Sequence, residues 1–123
     1  MRVIFCGSRD WTDYATIEHH MSDMAMSADG LVVVHGGARG ADVLAGAAAR
    51  TLGLFEEEHP ADWVGRGRAA GHERNRLMLD LGADHVIAFK DNFDHTLRRG
   101  GTENMIRIAR EAGISTFVVE RPW

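Results

Sequence analysis

The feature that most constrains this chain is the alternation of short apolar runs with segments of helical period, sustained from one end to the other. Arg2–Cys6 is an apolar run closed by Gly7, and Leu31–Val34 is a continuous, mostly β-branched run. Leu54–His59, Asp84–Phe89 and Ser115–Glu120 are further strand candidates, the first weakened by Glu56-Glu57-Glu58. Between them, Tyr14, Ile17, Met21, Met24 and Ala28 recur at helical spacing and mark one buried face. Thr12 is placed to cap that helix and Asp29-Gly30 to stop it.

An alanine-rich helix follows Gly36–Gly40 and runs to about Leu52, with Leu44, Ala48 and Leu52 inward. Arg68–Leu81 is the third helix, and its stripe of Ala70, Leu77, Met78 and Leu81 includes Arg74. Thr102–Ala112 is the last, with Met105, Ile108, Ala109 and Ala112 inward. Gly53, Gly82 and Gly113 end these helices, and Pro60–Gly67 and Lys90–Gly101 read as loops. Alternation of this kind predicts an α/β fold, a mainly parallel sheet of about five strands with helices on both faces. With 123 residues there is material for one core, so residues 1–123 are expected to form a single domain.

Composition narrows the function classes. Hydrophobic residues are 45% and charged residues 26%, which excludes a disordered or fibrous chain. The single cysteine, Cys6, excludes an internal disulfide framework and fits a reducing cytosol. It has no basic neighbour in its strand, which argues against a nucleophilic thiol. No apolar run is long enough for a leader or a membrane span, so a cytoplasmic protein without a membrane partner is expected. The net charge of −4 counts against a chain built mainly to grip nucleic acid. Of the 14 basic residues only Lys90 is lysine; arginine suits bidentate recognition of phosphate, but a GC-rich coding genome is the better explanation of the bias. The seven histidines lack metal-binding spacing, so neither a metal nor a cofactor is expected.

Parallel sheets bind ligands beyond the carboxyl ends of their strands, and there the glycines cluster. Gly36-Gly37-Ala38-Arg39-Gly40 joins a strand to a helix, where backbone N–H groups are able to approach a phosphate. It matches neither the dinucleotide fingerprint nor the P-loop. Asp42 either offsets the helix dipole or orients a ligand hydroxyl. Gly100-Gly101-Thr102-Glu103-Asn104 opens the last helix as a second anion site, with Thr102 equally a plain cap. Gly7, Ser8 and Arg9 follow the first strand and are placed to meet a phosphate or base, or form an ordinary loop. Arg74, on an inward stripe beside Asn75, requires either a structural carboxylate or an anionic ligand. Trp11, Trp63 and Phe93 are candidates for stacking on a base or for core packing.

Five strings, GSRDW (Gly7–Trp11), VVHGGARGAD (Val33–Asp42), PADW (Pro60–Trp63), AGHERNRLM (Ala70–Met78) and GGTENMIRIA (Gly100–Ala109), occur in an order that resembles the SLOG superfamily, most of all its YspA/cpYpsA-related branch. The resemblance implies a Rossmann-like fold and a nucleotide or nucleotide-derived ligand, such as an ADP-ribose-like molecule. It also implies a homodimer or larger homo-oligomer. The Lonely Guy relatives cleave the N-glycosidic bond of nucleoside monophosphates with an arginine in a HERN-like motif, which points to Arg74, and a glutamate in a PGGxGTxEE motif. Here that second motif reads RRGGTENM: Asn104 stands where the first glutamate belongs, and Glu103 is one residue away, about 100° around the helix. An oxocarbenium-like state needs a nearby carboxylate, so Glu103, Asp42 or Asp91 would have to serve. Another relative, DNA-processing protein A, binds single-stranded DNA. The reading that follows is a nucleotide-binding domain, with a nucleotide phosphoribohydrolase and a single-stranded nucleic-acid module as alternatives.

Overall fold

The computed structural model describes residues 1–62, 69–91 and 101–121. Five strands and four helices alternate among them: β1 (Arg2–Gly7), α1 (Tyr14–Ser27), β2 (Val32–His35), α2 (Ala41–Thr51), β3 (Phe55–Glu58), α3 (Ala70–Asp80), β4 (His85–Asp91), α4 (Gly101–Glu111) and β5 (Ser115–Arg121). The strands form one sheet in the order β3-β2-β1-β4-β5. Every pairing is parallel, with Val3 beside both Val33 and His85, His35 beside Glu58, and Asp91 beside Arg121. The expected α/β architecture is what forms.

Strand alternation divides the core into two layers. Val3 and Phe5 of β1 face α1 and α2 with Ile17, Met21, Ala45 and Ala48, while Ile4 and Cys6 face α3 and α4 with Met78, Met105 and Ile108. Trp11 is buried in the first layer, its ring 5.4 Å from that of Phe89, so it packs the core and is not available to stack on a base. Trp63 and Phe93 lie outside the described residues. Burial pushes the Cys6 thiol up, which keeps it protonated.

Several local expectations shift. Asp13, not Thr12, caps α1, accepting from the Thr16 amide at 3.2 Å and from its hydroxyl at 2.5 Å. On α2 the buried set is Ala41, Asp42, Ala45, Gly46, Ala48 and Ala49, with Leu44 and Leu52 only half-buried at the margin. Small residues let this helix sit close to the sheet. The α3 stripe is rotated: Gly71, Asn75, Met78 and Leu79 face in, while Leu77 and Leu81 are 49% and 52% exposed. Ala112 lies beyond α4 and is exposed, and β4 runs on through Lys90 and Asp91, which the sequence had placed in a loop. The acidic strand β3 holds because cations meet it: Arg2 forks onto Glu57 at 2.8 and 2.6 Å, and Arg50 reaches Glu56 at 2.5 Å.

Candidate functional site

The chain winds from β1 outward to β3, then returns to β4 on the other side of β1, which makes the crevice between the carboxyl ends of β1 and β4 the switch point of the sheet. Gly7 lies at this point. A Cβ there would overlap the Phe89 carbonyl and crowd Ala41 at 2.7 Å, so packing of β4 and α2 alone demands glycine. Ser8 is buried beyond it. Its hydroxyl donates to Asp91 at 3.2 Å and accepts from the Asp10 amide at 3.2 Å.

The Gly36–Gly40 turn lies against this first loop. Gly40 has φ +85°, and a Cβ would strike the backbone carbonyls of Ser8 and Arg9, the Arg9 oxygen at 2.5 Å. The Ala41 amide donates to the Ser8 carbonyl at 3.2 Å. Three amides of the turn are engaged by the protein itself. Gly36 and Ala38 donate to the same Asp42 oxygen at 3.1 and 3.3 Å, and Gly37 donates to His35 Nδ1 at 3.0 Å. The next two amides, of Arg39 and Gly40, take no partner among the described residues. Asp42 is thus the clasp of the turn, and its burial pushes its carboxyl above the ordinary range against the opposing effect of Arg74.

Because Nδ1 of His35 accepts, its ring proton sits on Nε2 and is donated to Glu56 at 2.6 Å. Sequence reasoning missed this pair; the signal was a histidine ending a buried apolar run beside an acidic strand. His35, Glu56 and Glu58 bring ligand atoms within 4.8 Å of one another, a set able to hold a cation. Metal on Nε2 would have to displace that proton or cost Gly37 its acceptor, so the cluster reads as a hydrogen-bonded support for the turn.

Arg74 reaches the turn from α3. Its Nη1 donates to the Gly36 carbonyl at 2.7 Å and to that of His59 at 3.4 Å, and its Nε donates to Asn75 Oδ1 at 3.0 Å. Among the described residues no carboxylate forms an ion pair with it. Burial lowers its pKa, Asp42 opposing and Arg9 adding to the effect, so Arg9 and Arg74 feel one another's charge. Gly36 is glycine because a Cβ would overlap this guanidinium. Asn75 is buried, with Nδ2 donating to the Gly101 carbonyl at 2.9 Å and to Asn104 Oδ1 at 3.0 Å.

At the start of α4, Thr102 and Asn104 are buried and Gly101 is exposed. Gly100 lies outside the described residues. Glu103 is half-buried and pairs with Lys90 at 2.5 Å. A cleft of about 390 Å³, lined by Arg9, Gly37, Ala38 and Arg39, opens beside the first two loops. Arg39 is well exposed there, and its pairing with Asp10 at 3.9 Å is of the weak, solvent-screened kind. The arrangement offers guanidinium groups and loop amides to an anion at the carboxyl edge of the sheet.

Known proteins share this frame. DNA processing protein A from Streptococcus pneumoniae superposes with a TM-score of 0.74 at 19% identity, over 98% of this chain and 50% of that one. DNA processing protein A from Helicobacter pylori, which binds single-stranded DNA, gives 0.67 at 21%, over 99% of this chain and 66% of that one. This chain therefore spans half to two thirds of those proteins, and at such identities the likeness is one of fold. The Gene 61 protein of Mycobacterium phage D29 is 41% identical over 119 residues, 92% of this chain and 91% of that protein. The family model for YAcAr, the YspA, cpYpsA-related SLOG family, matches residues 1–64. On this family model, which covers more than half of it, the chain belongs to the YspA/cpYpsA-related SLOG family, whose domains generally bind nucleotide-derived ligands.

Proposed function

We propose that residues 1–123 act as one domain that binds a phosphorylated nucleotide or ADP-ribose-like ligand at the carboxyl edge of the sheet, as sensor or processor of a nucleotide-derived signal. The observation that carries this is the convergence of Arg9, Arg39 and the half-buried Arg74 on the Gly36–Gly40 turn beside the cleft. The turn's amides from Gly36 to Ala38 already serve Asp42 and His35. In this reading ligand phosphate takes the Arg39 and Gly40 amides with the guanidinium groups of Arg9 and Arg39, and Thr102 faces its far end. Arg74 then shapes the turn as well as its charge. A thermal-shift screen of mononucleotides, dinucleotides and ADP-ribose tests the proposal, since a ligand of the folded state raises stability by mass action. No shift at millimolar concentration with any of them would overturn it.

Two other readings have an observation each. Similarity of fold to a protein that binds single-stranded DNA favours a nucleic-acid module. Such binding would weaken steeply with salt, and submicromolar affinity for an oligonucleotide at physiological salt would select it. The buried Asp91 at the switch point and Glu103 beside the second turn favour a phosphoribohydrolase. Glu103 is tied to Lys90 and Asn104 to Asn75, which weighs toward binding without turnover. Steady release of free base from AMP, lost in Arg74→Ala, would select the enzyme. A homodimer or larger assembly is part of the proposal, and light scattering on the purified chain tests it.

A further inference from the structure

The hydrogen bonds around Arg74 run unbroken between the two glycine-rich turns. From the first turn, the Gly36 carbonyl accepts from Arg74 Nη1 at 2.7 Å. Arg74 Nε then donates to Asn75 Oδ1 at 3.0 Å. Both donors of Asn75 go on to the second turn, to the Gly101 carbonyl and Asn104 Oδ1. The Gly36 peptide is gripped from both sides, because Asp42 takes its N–H while Arg74 takes its carbonyl. Asn75 has both N–H bonds committed, and its oxygen orients the guanidinium, so neither side chain is able to turn without breaking a bond to the other. Buried networks of this kind hold their members in one geometry.

We propose that Arg74 and Asn75 are positioning residues that couple the Gly36–Gly40 turn to the start of α4, so that ordering one turn orders the other. The mechanical coupling stands on the hydrogen bonds alone; its use in binding rests on the nucleotide reading above. Coupling between two contact points of one ligand is reciprocal, so a phosphate held by the first turn would sharpen the grip of the second.

Hydrogen exchange of the ligand-free chain, read amide by amide, tests the coupling without any ligand. Arg74→Lys keeps the charge but has no planar fork with which to hold Gly36 and Asn75 together. Protection at residues 105–107, the first fully helix-bonded amides of α4, is expected to fall about fivefold or more, while Arg76→Lys, at an exposed site on the same helix as Arg74, leaves it unchanged. Asn104→Ala removes one of the relay's two bonds to the second turn and serves if Arg74→Lys does not fold; it should loosen Gly36 and Ala38. Unchanged protection at the remote turn in a folded variant overturns the proposal. Inorganic pyrophosphate is the probe for the binding arm. In wild type the losses from Arg39→Ala and Thr102→Ala should be non-additive, and in Asn75→Ala they should add. Coupled exchange without any pyrophosphate binding would support the relay and count against the nucleotide reading, which keeps the two failures distinct. Pyrophosphate losses that add already in wild type would overturn the use of the coupling in binding.

Discussion

Gly36→Ala isolates a single contact. The backbone of Gly36 lies outside the left-handed region that demands glycine, so alanine meets no intrinsic strain there. What it meets is the Arg74 guanidinium, which would overlap the new methyl group and even at Nε lies only 2.8 Å away. A guanidinium at the end of a flexible side chain is able to swing aside. Doing so forfeits its bonds to the Gly36 and His59 carbonyls, and a hydrogen bond to a charged group is worth about 1.5–3 kcal/mol. The expected loss is therefore about 2 kcal/mol, or roughly 1 M in the urea midpoint. In an Arg74→Ala background the three guanidinium contacts are gone, and Gly36→Ala should cost under about 0.5 kcal/mol. Urea titrations of the four proteins, followed by tryptophan fluorescence, complete the cycle. Equal penalties in both backgrounds would refute the claim that the guanidinium is what excludes a side chain at position 36.

Other perturbations follow from the same geometry. Gly40→Ala places its methyl against fixed backbone carbonyls at φ +85°, whereas Gly53→Ala has a similar φ of +70° and open space. The first should cost at least about 2 kcal/mol more than the second by denaturant unfolding. Glu57, held down to about 2 by its hydrogen bonds to Arg2 and His59, stabilises the fold above its ordinary value of 4.5 and loses that contribution as pH falls from 4.5 toward 2. Glu57→Gln should flatten the acid-unfolding curve across that window, measured by circular dichroism. Asp42 has the opposite sign: its raised value means the folded chain holds the proton longer, so stability declines as pH rises past its ordinary 3.8. Asp42→Asn should remove that decline in pH-resolved urea titrations.

The order of elements was legible in the sequence because period and punctuation are local properties. The α1 spacing, the β-branched run of β2 and the glycine stops lie within a few residues of what they determine. Faces were harder to read. On α3 the sequence offers Leu77 and Leu81 as inward residues, yet Gly71 and Asn75 take the inner positions. Asn75 finds its partners 26 and 29 residues away, and no pattern within the helix records them. The glycine-rich turn was found for its composition, but its reasons divide once the chain is folded. Gly36 answers to a guanidinium 38 residues on, and Gly40 to the carbonyls of the preceding loop. Asp42 was legible as a polar residue at a helix start; that its acceptor would be spent on the turn's own amides depends on a bend that forms only with the loop.

The position of β1 also sets an order of assembly. Its pairing with β2 joins segments close in sequence, and β3 adds locally to that unit. Pairing with β4 is different: Arg2 and Asp84, hydrogen-bonded at 2.8 Å, are 82 residues apart. Closing so long a loop is entropically expensive and slow. The first three strands are therefore expected to form early, and the β1–β4 seam to close late, when the second half of the chain arrives. The crevice at the ends of that seam is finished only at this last step. A molecule bound across it would add little to the rate of folding and would act chiefly as a brake on unfolding.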